Sequence, residues 1–187
     1  MDDGKTTYIC NFMGRPQLVS GTDYLRPAMS GVWIRGDYLY SSNAHVLLRE
    51  HRDMHEIGAD AWAMLNNKMF EPRILDLMKK EQWLLRPDGT IRINVGMANV
   101  IYTPKSENDF KAPGYERVIS NAINEKREDK GEIIFNPLLL SRLSNAFARE
   151  SHYKAKLVFN RANTAIVVET GEPVEKQVGI IMPMLAL

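Results

Sequence analysis

One cysteine, Cys10, stands among 187 residues, so the chain has no internal disulfide framework and no zinc site built on paired cysteines. A reducing compartment fits this usage. An excess of charge is missing as well. Lys and Arg total 24 against 23 Asp and Glu, a formal net charge of +1, so any contact with nucleic acid must come from local placement of charge. No run approaches the roughly 18 apolar residues of a membrane span. The polar, acidic start Met1-Asp2-Asp3-Gly4-Lys5 leads into no apolar core of signal length, and together these absences place the protein in the cytoplasm with no membrane partner. Neither a Gly-x-Ser-x-Gly elbow nor a glycine-rich phosphate loop occurs, so catalysis and cofactor binding have no foothold. His51 and His55 stand four apart and would share a face on a helix, but Arg52 occupies the place where a zinc protease needs its glutamate. With no third ligand identifiable, a solvated surface pair and no metal are expected.

What is present suits a folded, non-catalytic protein. A hydrophobic fraction of 44% in a chain of this length supports one well-packed domain or two small ones. The ten methionines fill core gaps or furnish a surface that adapts to varied peptides.

Along the chain, Gly31 to Tyr40 places aromatic and β-branched residues on both sides of Gly36-Asp37, which reads as a hairpin, and His45 to Leu48 reads as a further strand. Residues 51–69 fit a short helix or a strand. Pro72 followed by Ile74, Leu75, Leu77 and Met78 predicts the first helix, ending near Lys80, where Lys79 and Lys80 complement the helix dipole. The turn signal Pro87-Asp88-Gly89 and the alternation of Ile91, Ile93 and Val95 predict a strand meander. Residues 104–114 read as a surface loop and 120–131 as a charged connection. Asn136-Pro137 marks an N-cap and first turn, with Leu139, Leu140, Leu143, Ala146 and Phe147 keeping helical spacing up to Arg149. A hairpin around Asn160 to Asn163 and a last strand from Val178 to Met182 follow. Helix-plus-meander units at 71–119 and 136–184 suggest an internal duplication. The fold class is therefore α+β, with strand meanders packed on two short helices.

Several short stretches, in the right order, resemble the bacterial DNA polymerase III beta subunit, the sliding clamp. Arg26-Pro27-Ala28-Met29-Ser30-Gly31-Val32 is similar to its Arg-x-x-Leu-Asn-Gly-Val, and Ser42-Asn43-Ala44-His45-Val46-Leu47 to its Thr-Asp-Gly-His-Arg-Leu. Pro72 to Leu77 resembles the family's Pro-Arg helix start. Phe110 to Ile119 follows Gly-Lys-Phe-Pro-Asp-Tyr-Glu-Arg-Val-Ile, Phe135 to Leu140 resembles Phe-Asn-Pro-x-Tyr-Leu, and Met182-Pro183-Met184 matches the clamp's ending. At about half the length of a full subunit, the chain reads as an abridged clamp. Residues 1–120 correspond to the middle domain with its first helix largely missing, and 121–187 to the second half of the last domain, either as two segments or packed as a single clamp-like unit.

The resemblance implies a replication or repair accessory protein with a groove that receives an apolar peptide from DNA polymerase or another clamp-binding protein. Met29, Ser42, Ala44, His45, Val46 and Leu47 would form one wall, and Asn136, Leu139, Ile180, Met182, Pro183 and Met184 the other. Val46 replaces the family's arginine and Leu139 its tyrosine. His45 and His152 read as hydrogen-bonded structural or groove residues. Clamps also pass double-stranded DNA through a ring lined by helices, without sequence preference. Arg73, Lys79 and Lys80 on the first helix and Arg142, Asn145 and Arg149 on the second are the candidate contacts. Family rings contain six domains, so a chain this short implies a homo-oligomer with more copies per ring. The competing expectation is an adaptor or inhibitor that keeps the groove without forming a ring.

Overall fold

Gly36 adopts a φ of 53°, which side chains disfavour, and so closes a tight turn between β1 (Val32–Arg35) and β2 (Tyr38–Ser42). The computed structural model describes residues 14–51, 58–125, 133–147, 155–159, 164–170 and 177–183. Strand β3 (Val46–His51) continues the expected meander by pairing with β2. His51 therefore ends a strand, with its ring edge-on to Tyr38 at 5.3 Å, and does not sit on a helix; His55 lies outside the described residues.

The ambiguous stretch before Pro72 contains both alternatives. Helix α1 (Ala59–Leu65) buries Ala61, Trp62 and Leu65, and β4 (Lys68–Phe70) follows it. The helix expected behind Pro72 forms as α2 (Pro72–Lys80), burying Ile74, Leu75 and Met78, but it is the second helix of the chain. The meander follows as β5 (Trp83–Leu85), β6 (Ile91–Val95) and β7 (Ala98–Tyr102), a three-stranded antiparallel sheet. Asp88 secures the β5–β6 turn: its carboxylate accepts from the Thr90 amide and hydroxyl, which holds it below the usual carboxylate range. The loop expected at 104–114 includes a two-residue strand, β8 (Lys105–Ser106), which pairs with β4.

The largest departure from expectation is α3 (Tyr115–Asn124), which occupies part of the stretch read as a charged connection. Its apolar face explains it. Tyr115, Ile119 and Ala122 are buried on one side of the helix, and burial of a large side chain stabilises by roughly 1.5–3 kcal/mol, enough to outweigh a polar composition. Helix α4 (Pro137–Ala146) begins at the expected Asn136 cap, whose side chain accepts from the Leu138 amide at 3.0 Å. It stops earlier than its spacing suggested: Phe147 has extended backbone angles, and Arg149 lies outside the described residues. The chain then supplies β9 (Ala155–Val158), β10 (Ile166–Thr170) and β11 (Gln177–Ile181) as the last antiparallel meander.

An eight-stranded antiparallel sheet in the order β8-β4-β1-β2-β3-β11-β10-β9 organises these elements. Near its centre β11 pairs with β3, with Leu47 opposite Ile180 and Val46 opposite Ile181, so strands from residues 46–51 and 177–181 lie side by side in one sheet. Alternation along the strands then builds separate cores on its two faces. On one face, Leu48, Ile166, Val168 and Ile181 pack against Leu143, Ala146 and Phe147 at α4, while Val32, Ile34 and Leu39 pack with α1, α2 and the small sheet. On the other, Trp33, Tyr40, Leu47, Val167, Val178 and Ile180 are covered by α3. Gly179 permits the close approach of α4, because a β-carbon there would stand 2.2 Å from Leu143 Cδ2. The α+β class thus holds, with four helices among the described residues where two were expected.

Candidate functional site

The turn between β2 and β3 is built by its own side chains. The Asn43 carboxamide oxygen accepts from the amides of His45 (3.0 Å) and Val46 (2.9 Å). The Ser42 hydroxyl accepts from the Ala44 amide at 3.1 Å and donates to the Val46 carbonyl at 2.9 Å. This mesh holds Ala44 at a φ of 74°, a left-handed conformation rarely adopted by alanine. With those polar groups satisfied internally, the turn offers an apolar surface. The Met182 amide donates to the His45 carbonyl at 2.9 Å, pinning the end of β11 beside the turn. The Gly21 amide lies 2.8 Å from the Met29 carbonyl and 3.2 Å from that of Ser42, and Trp33 Nε1 donates to the Ala28 carbonyl at 2.7 Å, which fixes the 3-10 turn Pro27–Met29 alongside.

The start of α3 is clamped to the same face. The Tyr115 ring stacks on Tyr40 with centroids 5.5 Å apart and planes 3° from parallel. The Tyr40 hydroxyl donates to Glu116 Oε1, and Arg49 Nη1, whose guanidinium lies 4.6 Å over the Tyr38 ring, stands 3.5 Å from the same carboxylate. Burial, and then the Glu116 carboxylate, push the Tyr40 phenol well above its ordinary range, so it stays a hydrogen-bond donor at any physiological pH.

Between these elements lies a groove of about 170 Å³. Met29, Ser42, Ala44, Val46 and Leu47 line one side, Ile180 and Met182 another, and Pro113, Gly114, Tyr115 and Val118 a third. No charged side chain is among them. The structure thus gathers seven of the twelve groove candidates. His45 is exposed at the turn and contributes its carbonyl, and Pro183 is half-buried beyond Met182 without lining the groove. Asn136 and Leu139 sit elsewhere: one caps α4, and the other packs in the core beneath that helix. Met184 and His152 fall outside the described residues. The third wall went unrecognised as part of the site, although Tyr115, Val118, Ile119 and Ala122 at helical spacing offered a signal for it.

Apart from Arg149, which lies outside the described residues, the candidate DNA contacts lie on α2 and α4, which both touch the 3-10 turn Pro16–Val19. Arg73, Lys80, Arg142 and Asn145 are exposed. Lys79 is only half-buried and donates to the Gly14 carbonyl at 3.2 Å, while Asp76 on the exposed side accepts from Gln17 at 2.7 Å. Among the described residues no group of three or more His, Cys, Asp or Glu side chains is placed to hold a metal ion, and no helix is long and apolar enough to cross a membrane.

No family model matches the sequence, and no curated protein matches it either. Solved structures do share the fold, at low sequence identity. The sliding clamp (DNA polymerase III subunit beta) from Bartonella birtlesii aligns over 92% of this chain and 62% of its own, with a TM-score of 0.60 and 14% identity. The fold is that of the sliding clamp. The Thermotoga maritima DNA polymerase III beta subunit gives a TM-score of 0.59 at 13% identity over 92% of this chain and 62% of its own. The Streptococcus pyogenes beta subunit gives 0.57 at 8% identity, over 92% and 61%. The chain thus spans less than two thirds of the length of the clamp structures it matches. The likeness read from scattered motifs holds at the level of the sliding-clamp fold.

Proposed function

We propose that this chain is a non-catalytic accessory protein of DNA replication or repair, working in the cytoplasm, whose apolar groove receives a short peptide from DNA polymerase or another clamp-binding protein. One observation carries this reading: a groove with no charged side chain among its described lining residues forms beside the β3–β11 pairing, and residues from four of the clamp-like stretches, at 26–32, 42–47, 110–119 and the β11 end, converge on it. A concave apolar site with its few polar groups already satisfied suits an apolar anchor and tolerates variation in its shape. Residues 1–120 and 121–187 act as middle-domain-like and last-domain-like parts of a single unit, joined through that strand pairing. No cofactor takes part.

Double-stranded DNA is the second partner of this reading. Arg73, Lys80 and Arg142 stand exposed on two helices that flank one 3-10 turn, an arrangement suited to phosphate contacts that carry no sequence preference. Encirclement requires several copies closing a ring. A ring is retained on closed circular DNA and slides off after linearisation, so the proposal expects co-elution with circular plasmid, loss on cutting, and a multimeric mass in solution. Equal release from both DNA forms together with a monomeric mass would defeat the ring and leave the adaptor or inhibitor that competes for clamp partners. The engagement of Lys79 by the Gly14 carbonyl, which thins the basic face of α2, favours that second reading.

A further inference from the structure

Two helices of this fold begin in the same way. Phe70-Glu71-Pro72 opens α2 and Phe135-Asn136-Pro137 opens α4, with Glu71 and Asn136 at the N-caps. Before α2 the chain runs as β4, which pairs with β1, the first strand of a neighbouring meander, with Phe70 opposite Val32. The stretch before α4 has the matching pattern without the partner. Ile133 and Phe135 pack on the core beneath α4 while Ile134 between them is exposed, the alternation of a strand, yet among the described residues no strand pairs with them. The first strand of the meander that follows, β9, pairs among the described residues only with β10, which leaves its outer edge open. Apolar surface gathers at that edge. Leu157 and Phe159 are exposed, and a cavity of about 210 Å³ lies between Leu140, Ser144 and Phe147 at α4 and Leu157 and Val168 of the sheet. Whereas α1 and α2 share one core, α4 shares its core with no other α-helix among the described residues. Lys156, the one charged residue of β9, is paired with Glu169 of β10 at 3.2 Å, so the strand presents no unpaired charge to a second chain.

We infer that a second copy of this chain completes the unit around α4: in a two-fold dimer, residues 133–135 of each copy pair with the outer edge of the other's β9, as β4 pairs with β1, and the two α4 helices close the cavities between them. The occupant is a second copy because the two unpartnered elements of one chain are each other's complement, so a single self-complementary contact satisfies both. The contact does not depend on the peptide groove, and it goes beyond the ring reading, which needs several copies and names no surface between them.

Sedimentation equilibrium of the full chain tests this. A dimer of twice 21.3 kDa is expected at concentrations up to about 100 μM. Leu157→Arg, at a residue 39% exposed, should raise its dissociation constant at least about ten-fold, because closing the cavity would strip the new charge of water. Met97→Arg adds the same charge at the fully exposed tip of the β6–β7 turn and should leave the dimer unchanged. A second measurement needs no variant: in a mixture of isotopically labelled and unlabelled chains, isotope-filtered NOEs between copies should join residues 133–135 to Ala155–Val158. A dimer released equally from circular and linear DNA would support this contact while defeating the ring. A monomeric mass, a folded Leu157→Arg protein that dimerises as wild type, or contacts between copies confined to other elements would overturn the inference.

Discussion

Replacing Glu50 with alanine is expected to destabilise the fold by about 3–5 kcal/mol, the cost of leaving two buried donors without their acceptor and of opening a void. Glu50 is completely buried at the centre of the eight-stranded sheet, opposite Gln177 across the β3–β11 pairing. One carboxylate oxygen accepts from the Gly14 amide at 3.1 Å and the other from Gln177 Nε2 at 3.3 Å, while Gln177 accepts in turn from Thr170 at 3.3 Å. The adjoining Arg15 amide caps the end of α4 through the Ala146 carbonyl. The carboxylate therefore ties together β3, β10, β11 and the segment that secures α4. Alanine leaves the Gly14 amide and the Gln177 side chain without this acceptor and opens a void. Glutamine keeps an acceptor for Gly14 but sets an amide group against Gln177, so its cost should fall between those of wild type and alanine. Urea unfolding would show a lowered midpoint at constant slope. A Glu50→Ala loss of less than about 1 kcal/mol would contradict the role given to this group.

Val118→Asp is expected to lower affinity for an apolar leucine and phenylalanine peptide by at least about ten-fold, because an anchor seated against the new carboxylate would strip it of water. Val118 is the test position of choice because it lines the groove yet is 37% exposed, so the substitution should cost the fold less than about 1 kcal/mol. Met182→Ala, at a residue 41% exposed on the opposite wall, should act in the same direction by removing contact area alone. A folded Val118→Asp protein with wild-type peptide affinity, measured by calorimetry, would show that the third wall takes no part in binding.

The elements that local chemistry specifies were legible from the residues. Gly36-Asp37 marked the first hairpin, Pro72 and the stripe of Ile74, Leu75 and Met78 marked α2, and Asn136-Pro137 marked the start of α4. Elements that depend on distant partners were not. Helix α3 owes its stability to Tyr115, Ile119 and Ala122 meeting the sheet face formed by Trp33, Tyr40 and Ile180, and the charged residues that follow it masked the pattern. Strand β8 has two residues and exists only because β4 offers an edge. The groove followed the same division. Its walls at the β2–β3 turn and at β11 were found through short motifs, whereas the wall from Pro113 to Val118 came with the unrecognised helix. Asn136 and Leu139 went to the cap and core of α4 because the first turn of that helix packs on the opposite face of the sheet.

The groove assignment is tested most directly by titrating the isotopically labelled chain with a leucine and phenylalanine peptide and following its amide resonances. The largest shifts are expected on Met29, Ala44, Leu47, Gly114, Val118 and Met182, with α2 and α4 unaffected. Shifts confined to those two helices, or none at peptide concentrations up to about 1 mM, the limit of weak binding, would contradict it.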